Sequence, residues 1–149
     1  MDLSEIERRV GRLEDIEAIK QLKARCSALV DRDDAQGFAD LFTDDGVFAG
    51  AFQSLEGREA LEGVTFWPFM VHYVGNPIIE VEGDEGYGEW YFLRPYTDHQ
   101  GQACWAGGRY DDRYVRREGV WIFRKIAITN FFAVPYAEGW SPPDEAAPA

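Results

Sequence analysis

Only one of the chain's two histidines stands where a histidine is costly. His72 lies within Trp67-Pro-Phe-Met-Val-His-Tyr-Val-Gly-Asn-Pro77, an almost wholly apolar stretch. An imidazole in such a place is either a hydrogen-bonded core residue or a base whose tautomer a neighbour sets. Asp31 is the second unusual residue, at the end of a long segment with helical apolar spacing. A carboxylate there faces the unfavourable end of the helix dipole, so a partner would explain the choice. If Asp31 and His72 meet, the carboxylate holds one ring N–H and leaves the other nitrogen as a base. No serine or cysteine sits in a recognisable nucleophile motif. Cys26 reads as a small hydrophobe, so proton abstraction is the natural chemistry. His99, in Thr97-Asp-His-Gln-Gly101, reads as a solvated loop residue.

Composition limits what such a base can act on. The chain carries 27 acidic and 15 basic residues, a net charge of −12. That balance excludes nucleic acid and anionic membrane surfaces as partners. Aromatic residues make up 15 %, enough to pack a core or line a pocket for something flat and apolar. Two isolated cysteines and two widely separated histidines lack metal-ligand spacing, so no metal is expected. Gly107-Gly108 has no following helix, and no nucleotide-binding glycine pattern occurs, so no cofactor is expected either. No basic leader precedes an apolar stretch at the N-terminus, which reads as cytoplasmic.

The elements that must position these groups are helical first. Ser4-x-x-Glu7 forms a capping-box pattern. Leu3, Ile6, Val10, Leu13, Ile16, Ile19, Leu22, Cys26, Leu29 and Val30 follow in steps of three and four. This predicts a short helix and a long one divided at Gly11, ending at Asp31-Arg-Asp-Asp34. Short helices follow at Ala35–Leu41 and Gly57–Gly63, with a turn at Thr43-Asp-Asp-Gly46 and a strand from Val47. Then Met70–Glu82, Tyr87–Tyr96, Ala103–Arg117 and Val120–Phe131 read as long strands joined by short turns, an antiparallel meander. The fold class is α+β: N-terminal helices packed on a strongly curved, mainly antiparallel sheet, forming a cone around an apolar cavity. Residues 1–136 form the single domain, and 137–149 a flexible C-terminal tail.

At Leu13-Glu-Asp-Ile-Glu-Ala-Ile-Lys-Gln-Leu-Lys23, the Asp31 helix end, His72-Tyr-Val-Gly-Asn-Pro77, Gly88-Glu-Trp-Tyr91, Tyr110-Asp-Asp-Arg-Tyr-Val115 and Gly119-Val-Trp121, the chain resembles the SnoaL-like branch of the nuclear transport factor 2 superfamily. The pattern is similar to the group holding scytalone dehydratase, hexachlorocyclohexane dehydrochlorinase and bile acid 7α-dehydratase. The resemblance implies that Asp31 and His72 match the family's catalytic aspartate and its general base. It also implies a homo-oligomer, a trimer or alternatively a dimer. Cys26 stands where the bile acid enzyme has a tyrosine, and Arg94 where it has an acidic residue. Ile126 stands where the dehydrochlorinase has an arginine, and Asn130 where the bile acid enzyme has one. The substrates of those enzymes therefore do not carry over.

Period-two alternation extends the site. If the matched positions point inward, so do Trp90, Phe92 and Arg94 on one strand, Gly108 and Tyr110 on the next, and Ile126, Ile128 and Asn130 on the last. His72 brings Val74 and Asn76 with it. Trp67, Phe69 and Met70 read as the cavity mouth, with Cys26 inside. Tyr91, Trp105 and Tyr114 read as an outer contact face. The expected activity is a cofactor-independent lyase or dehydratase acting on a bulky, apolar cyclic or aromatic compound, with loss of water or a small fragment. An isomerase or polyketide-type cyclase would need the same base. A non-catalytic binder or accessory subunit would need only the cavity.

Overall fold

The computed structural model describes residues 2–140; of the tail expected over 137–149, residues 137 and 138 belong to a short 3-10 turn (Tyr136–Glu138) and 141–149 lie outside the described residues. Helix α1 runs unbroken from Leu3 to Asp31, through Gly11. Its cap is Asp2, whose carboxylate accepts from the Glu5 amide at 2.9 Å, rather than the anticipated Ser4–Glu7 box. An ionised N-cap satisfies an orphan amide and also complements the helix dipole. The apolar stripe is buried only in its second half, at Ile19, Leu22 and Cys26, while Leu3, Ile6, Val10 and Leu13 are exposed. No helix among the described residues is long and apolar enough to cross a membrane.

After α1 come α2 (Ala35–Ala39), β1 (Phe42–Ala49), β2 (Ser54–Glu56) and α3 (Arg58–Glu62). Then follow β3 (Phe69–Met70), β4 (Tyr73–Glu82), β5 (Glu85–Thr97), β6 (Ala103–Arg117) and β7 (Val120–Pro135). The sheet order is β2-β1-β7-β6-β5-β3, with β4 also paired to β5. The meander β4 to β7 is antiparallel, as expected, but β1 joins β7 in parallel, so the sheet is mixed. The anticipated turn at Thr43-Asp-Asp-Gly46 is instead an irregular part of β1, where the register shifts between Phe42 and Val47.

The long strands curve around α1 because their alternation is interrupted at set points. On β5 and β6 the even-numbered residues are buried, including Trp90, Phe92, Arg94, Tyr96, Tyr110, Asp112 and Tyr114. Tyr114 is therefore not on the outer face with Tyr91 and Trp105: it sits an odd number of residues from Trp105 and points the other way. On β4 the register shifts between Gly75 and Ile78, with Asn76 in the left-handed region. Burial then passes from Val74 to Ile79 and Val81, and Asn76 is exposed rather than inward. On β7 a second shift passes burial from Trp121 and Phe123 to Ile126. A third shift, at Gly107/Gly108, brings the chains too close for side chains: a Cβ on Gly108 would run into the Thr129 carbonyl. Bulges of this kind bend a strand and sharpen its twist.

One polar contact crosses the core between helix and sheet. Lys23 of α1 donates to Asp112 of β6 at 2.7 Å, and both side chains are almost fully buried. Tyr114 also donates to Asp112, at 2.9 Å, and Trp90 donates to the Tyr114 hydroxyl at 2.9 Å. Burial still raises the Asp112 carboxyl above its ordinary range, against the opposing pull of Lys23 and Tyr114. Removing one member of such a pair strands the other charge. Asp112→Ala should therefore lose ~3–5 kcal/mol of stability in urea unfolding, whereas the double replacement Lys23→Met/Asp112→Leu should recover most of it. A single-variant loss below ~1 kcal/mol would show that the pair does not hold helix to sheet.

Candidate functional site

The interruption between β3 and β4 places the imidazole. Val71 and His72 fall between the two strands, and the Val71 amide donates to the Pro95 carbonyl at 3.0 Å, which holds the gap against β5. Asp31, the last residue of α1, reaches this gap. Its Oδ1 lies 2.6 Å from His72 Nδ1, and its Oδ2 accepts from the His72 backbone amide at 3.1 Å. Two donors thus meet a carboxylate that the helix dipole disfavours. A carboxylate only accepts, so Nδ1 carries the proton and Nε2 is left with its lone pair. The His72 side chain is 5 % exposed. Burial holds its pKa below 6.5, outweighing the upward pull of Asp31; Arg94 and Lys23 push it further down.

His72 borders a cavity of about 280 Å³ between α1 and the sheet. That is at the small end of the ~300–1,000 Å³ typical of ligand sites. Of the residues singled out from sequence, Cys26, Trp67, Arg94, Tyr110, Ile126, Ile128 and Asn130 line it with His72. Asp31 stands behind His72. Trp90, Phe92 and Phe69 lie outside the wall. Trp90 is tied into the Asp112 network, and Phe92 backs the Tyr110 ring at 4.8 Å. Phe69 is 56 % exposed, because Met70, its neighbour on β3, pairs with inward-facing Tyr96 and takes the cavity position.

Sequence reasoning passed over Lys23, although it lies four residues after Ile19 and three before Cys26 on the buried stripe. Its ammonium lies 3.5 Å from the centre of the Tyr110 ring and borders the cavity. Asp112 was signalled too, two residues from Tyr110 on the same strand face. Phe38, Phe48 and Phe66 carried no signal beyond being apolar; Phe38 meets the other two rings edge to face, which groups them at the wall. His99 is exposed, as a loop residue should be, yet its ring lies 4.8 Å from that of Trp67 and edges the cavity. Trp67 also meets Tyr96 and Phe52, which makes an aromatic rim.

Burial raises the Cys26 thiol to about 12 and holds the Tyr110 phenol well above its ordinary value. Both stay protonated at neutral pH, so neither competes with His72 as a base.

A strongly curved sheet on one long helix, with a carboxylate–imidazole pair opening on the space between them, defines a cone of the nuclear transport factor 2-like kind. Within that class the chain belongs to the SnoaL-like domain family, whose model matches residues 11–127. No curated protein matches it. Among solved structures it is similar to hexachlorocyclohexane dehydrochlorinase LinA-type3 from Novosphingobium barchaimii LL02, at 25 % identity and TM-score 0.78, covering 91 % of this chain and 99 % of that one. A LinA structure superposes at TM-score 0.80 with 24 % identity, over 91 % of this chain and 99 % of the other. The Mycobacterium tuberculosis protein Rv3472, of unknown function, gives TM-score 0.69 and 25 % identity over 80 % and 73 %.

The depressed His72 pKa has a sign that can be tested. The unfolded chain takes up its histidine proton near 6.5, and the folded chain only below that. The unfolded state thus binds more protons in the window beneath 6.5, and stability falls as pH drops through it. Imidazole NMR titration should place the His72 midpoint below 6.5. Asp31→Asn should move it lower still, because Asp31 is what pulls it up. A midpoint that rises in that variant would contradict the assigned contact.

Proposed function

We propose that the protein is a cofactor-independent lyase of the dehydratase type. The Asp31–His72 contact of 2.6 Å carries this reading. It leaves Nε2 unprotonated on a residue that borders a cavity, with a pKa low enough to keep it neutral at physiological pH. His72 removes a proton from a carbon next to a hydroxyl, the electron pair of that C–H bond forms the new double bond as the C–O bond breaks, and the imidazolium returns the proton to the departing hydroxyl so that it leaves as water. Asp31 fixes the tautomer and stabilises the imidazolium once it forms. Arg94, Tyr110 and Asn130 hold an oxygen of the substrate, and the enclosed site strengthens those contacts. Ile126, Ile128, Phe38 and Phe66 suit the apolar body of a cyclic or aromatic compound. Similarity to a dehydrochlorinase, which is named for an elimination, favours this over isomerisation. We take the protein to act in the cytoplasm and, by the same family likeness, as a homo-oligomer, a trimer before a dimer.

The test begins with one- and two-ring aromatic and alicyclic alcohols followed by mass spectrometry. Loss of water marks dehydration, loss of a small aldehyde marks carbon–carbon lysis, and an unchanged mass with altered retention marks isomerisation. On a turned-over compound, His72→Gln should lower kcat by at least ~10²-fold, and Asp31→Asn should lower it too, with the fold intact by circular dichroism. Turnover retained in folded His72→Gln would remove His72 as the base.

A further inference from the structure

The inside of this fold holds an imbalance of charge. Among the described residues, three charged side chains are buried: Lys23, Asp112 and Arg94. Lys23 and Asp112 answer each other. Arg94, 7 % exposed, has no carboxylate within salt-bridge distance among the described residues, and its Nε has no hydrogen-bond partner. This happens in a chain with 27 acidic residues, where Arg8, Arg58, Arg109 and Arg116 all find a carboxylate on the surface. What Arg94 does have is two rings, with its guanidinium carbon 5.6 Å from the Phe92 centroid and 5.4 Å from that of Tyr96. Such contacts are individually weak. Desolvating a cation costs several kcal/mol, so the rings do not offset it. Arg94 lines the cavity, and so does Asn130, whose buried Oδ1 also has no partner.

We propose that the cavity takes an organic carboxylate: a one- or two-ring, largely apolar molecule whose carboxylate pairs with the Arg94 guanidinium. The guanidinium fork matches two carboxylate oxygens at once. A phenol, with an ordinary pKa near ~10, brings no charge at neutral pH. A phosphate brings nearly two charges to a cavity wall on which, among the described residues, Arg94 is the unpaired cation. A cavity of about 280 Å³ accommodates one or two rings and leaves no space for a nucleotide-sized carrier. The apolar wall of Ile126, Ile128 and Phe66 receives the rings, while Arg94 turns the acidic end in one direction. This deepens the proposed function, because it needs the cavity to be the substrate site, but it does not depend on which reaction follows. It has one electrostatic consequence: an anion on Arg94 cancels part of the push that lowers the His72 pKa, making the base stronger only when substrate is present.

The probes are 1-naphthoate and its neutral analogue 1-naphthamide, titrated calorimetrically into the full chain. Wild type should bind naphthoate at least ~10-fold more tightly than naphthamide, the worth of a charge-assisted contact. Arg94→Gln should abolish that preference, bringing the two affinities within about twofold of each other. Relieved of an unpaired buried cation, ligand-free Arg94→Gln should melt no lower than wild type. Equal wild-type affinities, or a preference that survives in Arg94→Gln, would overturn the proposal and leave the cavity's role standing. A variant that melts several degrees lower would overturn it as well, by making Arg94 a structural residue. If neither compound binds, the cavity is not a site for small aromatic ligands, and the proposed function falls with the inference.

Discussion

A carboxylate at the wrong end of a helix is the constraint on which the rest of this structure turns. Asp31 sits where the dipole of α1 is least favourable, and it is held by two hydrogen bonds from one residue, the backbone and side chain of His72. Because His72 lies in the gap between β3 and β4, the contact pins the end of the helix to the open end of the sheet. The ring contact of the two also sets the imidazole's tautomer. The anchor of the fold and the preparation of the base are one interaction.

A few kinds of group divide the cavity's work. Apolar side chains from α2, β1 and β7 exclude water. Lys23 and Asp112 close the floor as a neutralised pair, supported by Tyr114 and Trp90. Among the described residues lining the cavity, His72 leaves a lone pair unspent, Arg94 a positive charge and Asn130 an amide oxygen. An unspent donor or charge in a low-dielectric space is costly to the free protein, and that cost is what a ligand can relieve.

Much of the fold was legible because it rests on short-range rules. The three-and-four spacing marked α1, and alternation sorted β5 and β6, so Arg94 and Tyr110 came out inward. The failures share a cause. Asn76, Tyr114 and Phe69 were misplaced where parity was miscounted or where a bulge resets it, and Asn76 sits in a left-handed bulge that the sequence marks only weakly. Leu3, Ile6, Val10 and Leu13 kept helical spacing but not burial, because the sheet covers only the second half of α1. Asp2 took the cap from Ser4 because two overlapping capping patterns compete, and the ionised one complements the dipole.

Taken alone, the sequence determined the helix-then-meander order, the acidic surface, and the two residue types of the Asp31–His72 pair. These depend on periodicity and composition, which are properties of neighbours along a chain. Tertiary structure alone decided which side chains share the cavity: that Met70 rather than Phe69 faces inward, that His99 reaches the rim, and that Lys23 finds Asp112, 89 residues away, while Arg94 finds no carboxylate. Pairing of charges across a core depends on the register and curvature of several strands at once. No local pattern encodes whether a buried cation will meet its counterion within the chain or be left to meet it in a ligand.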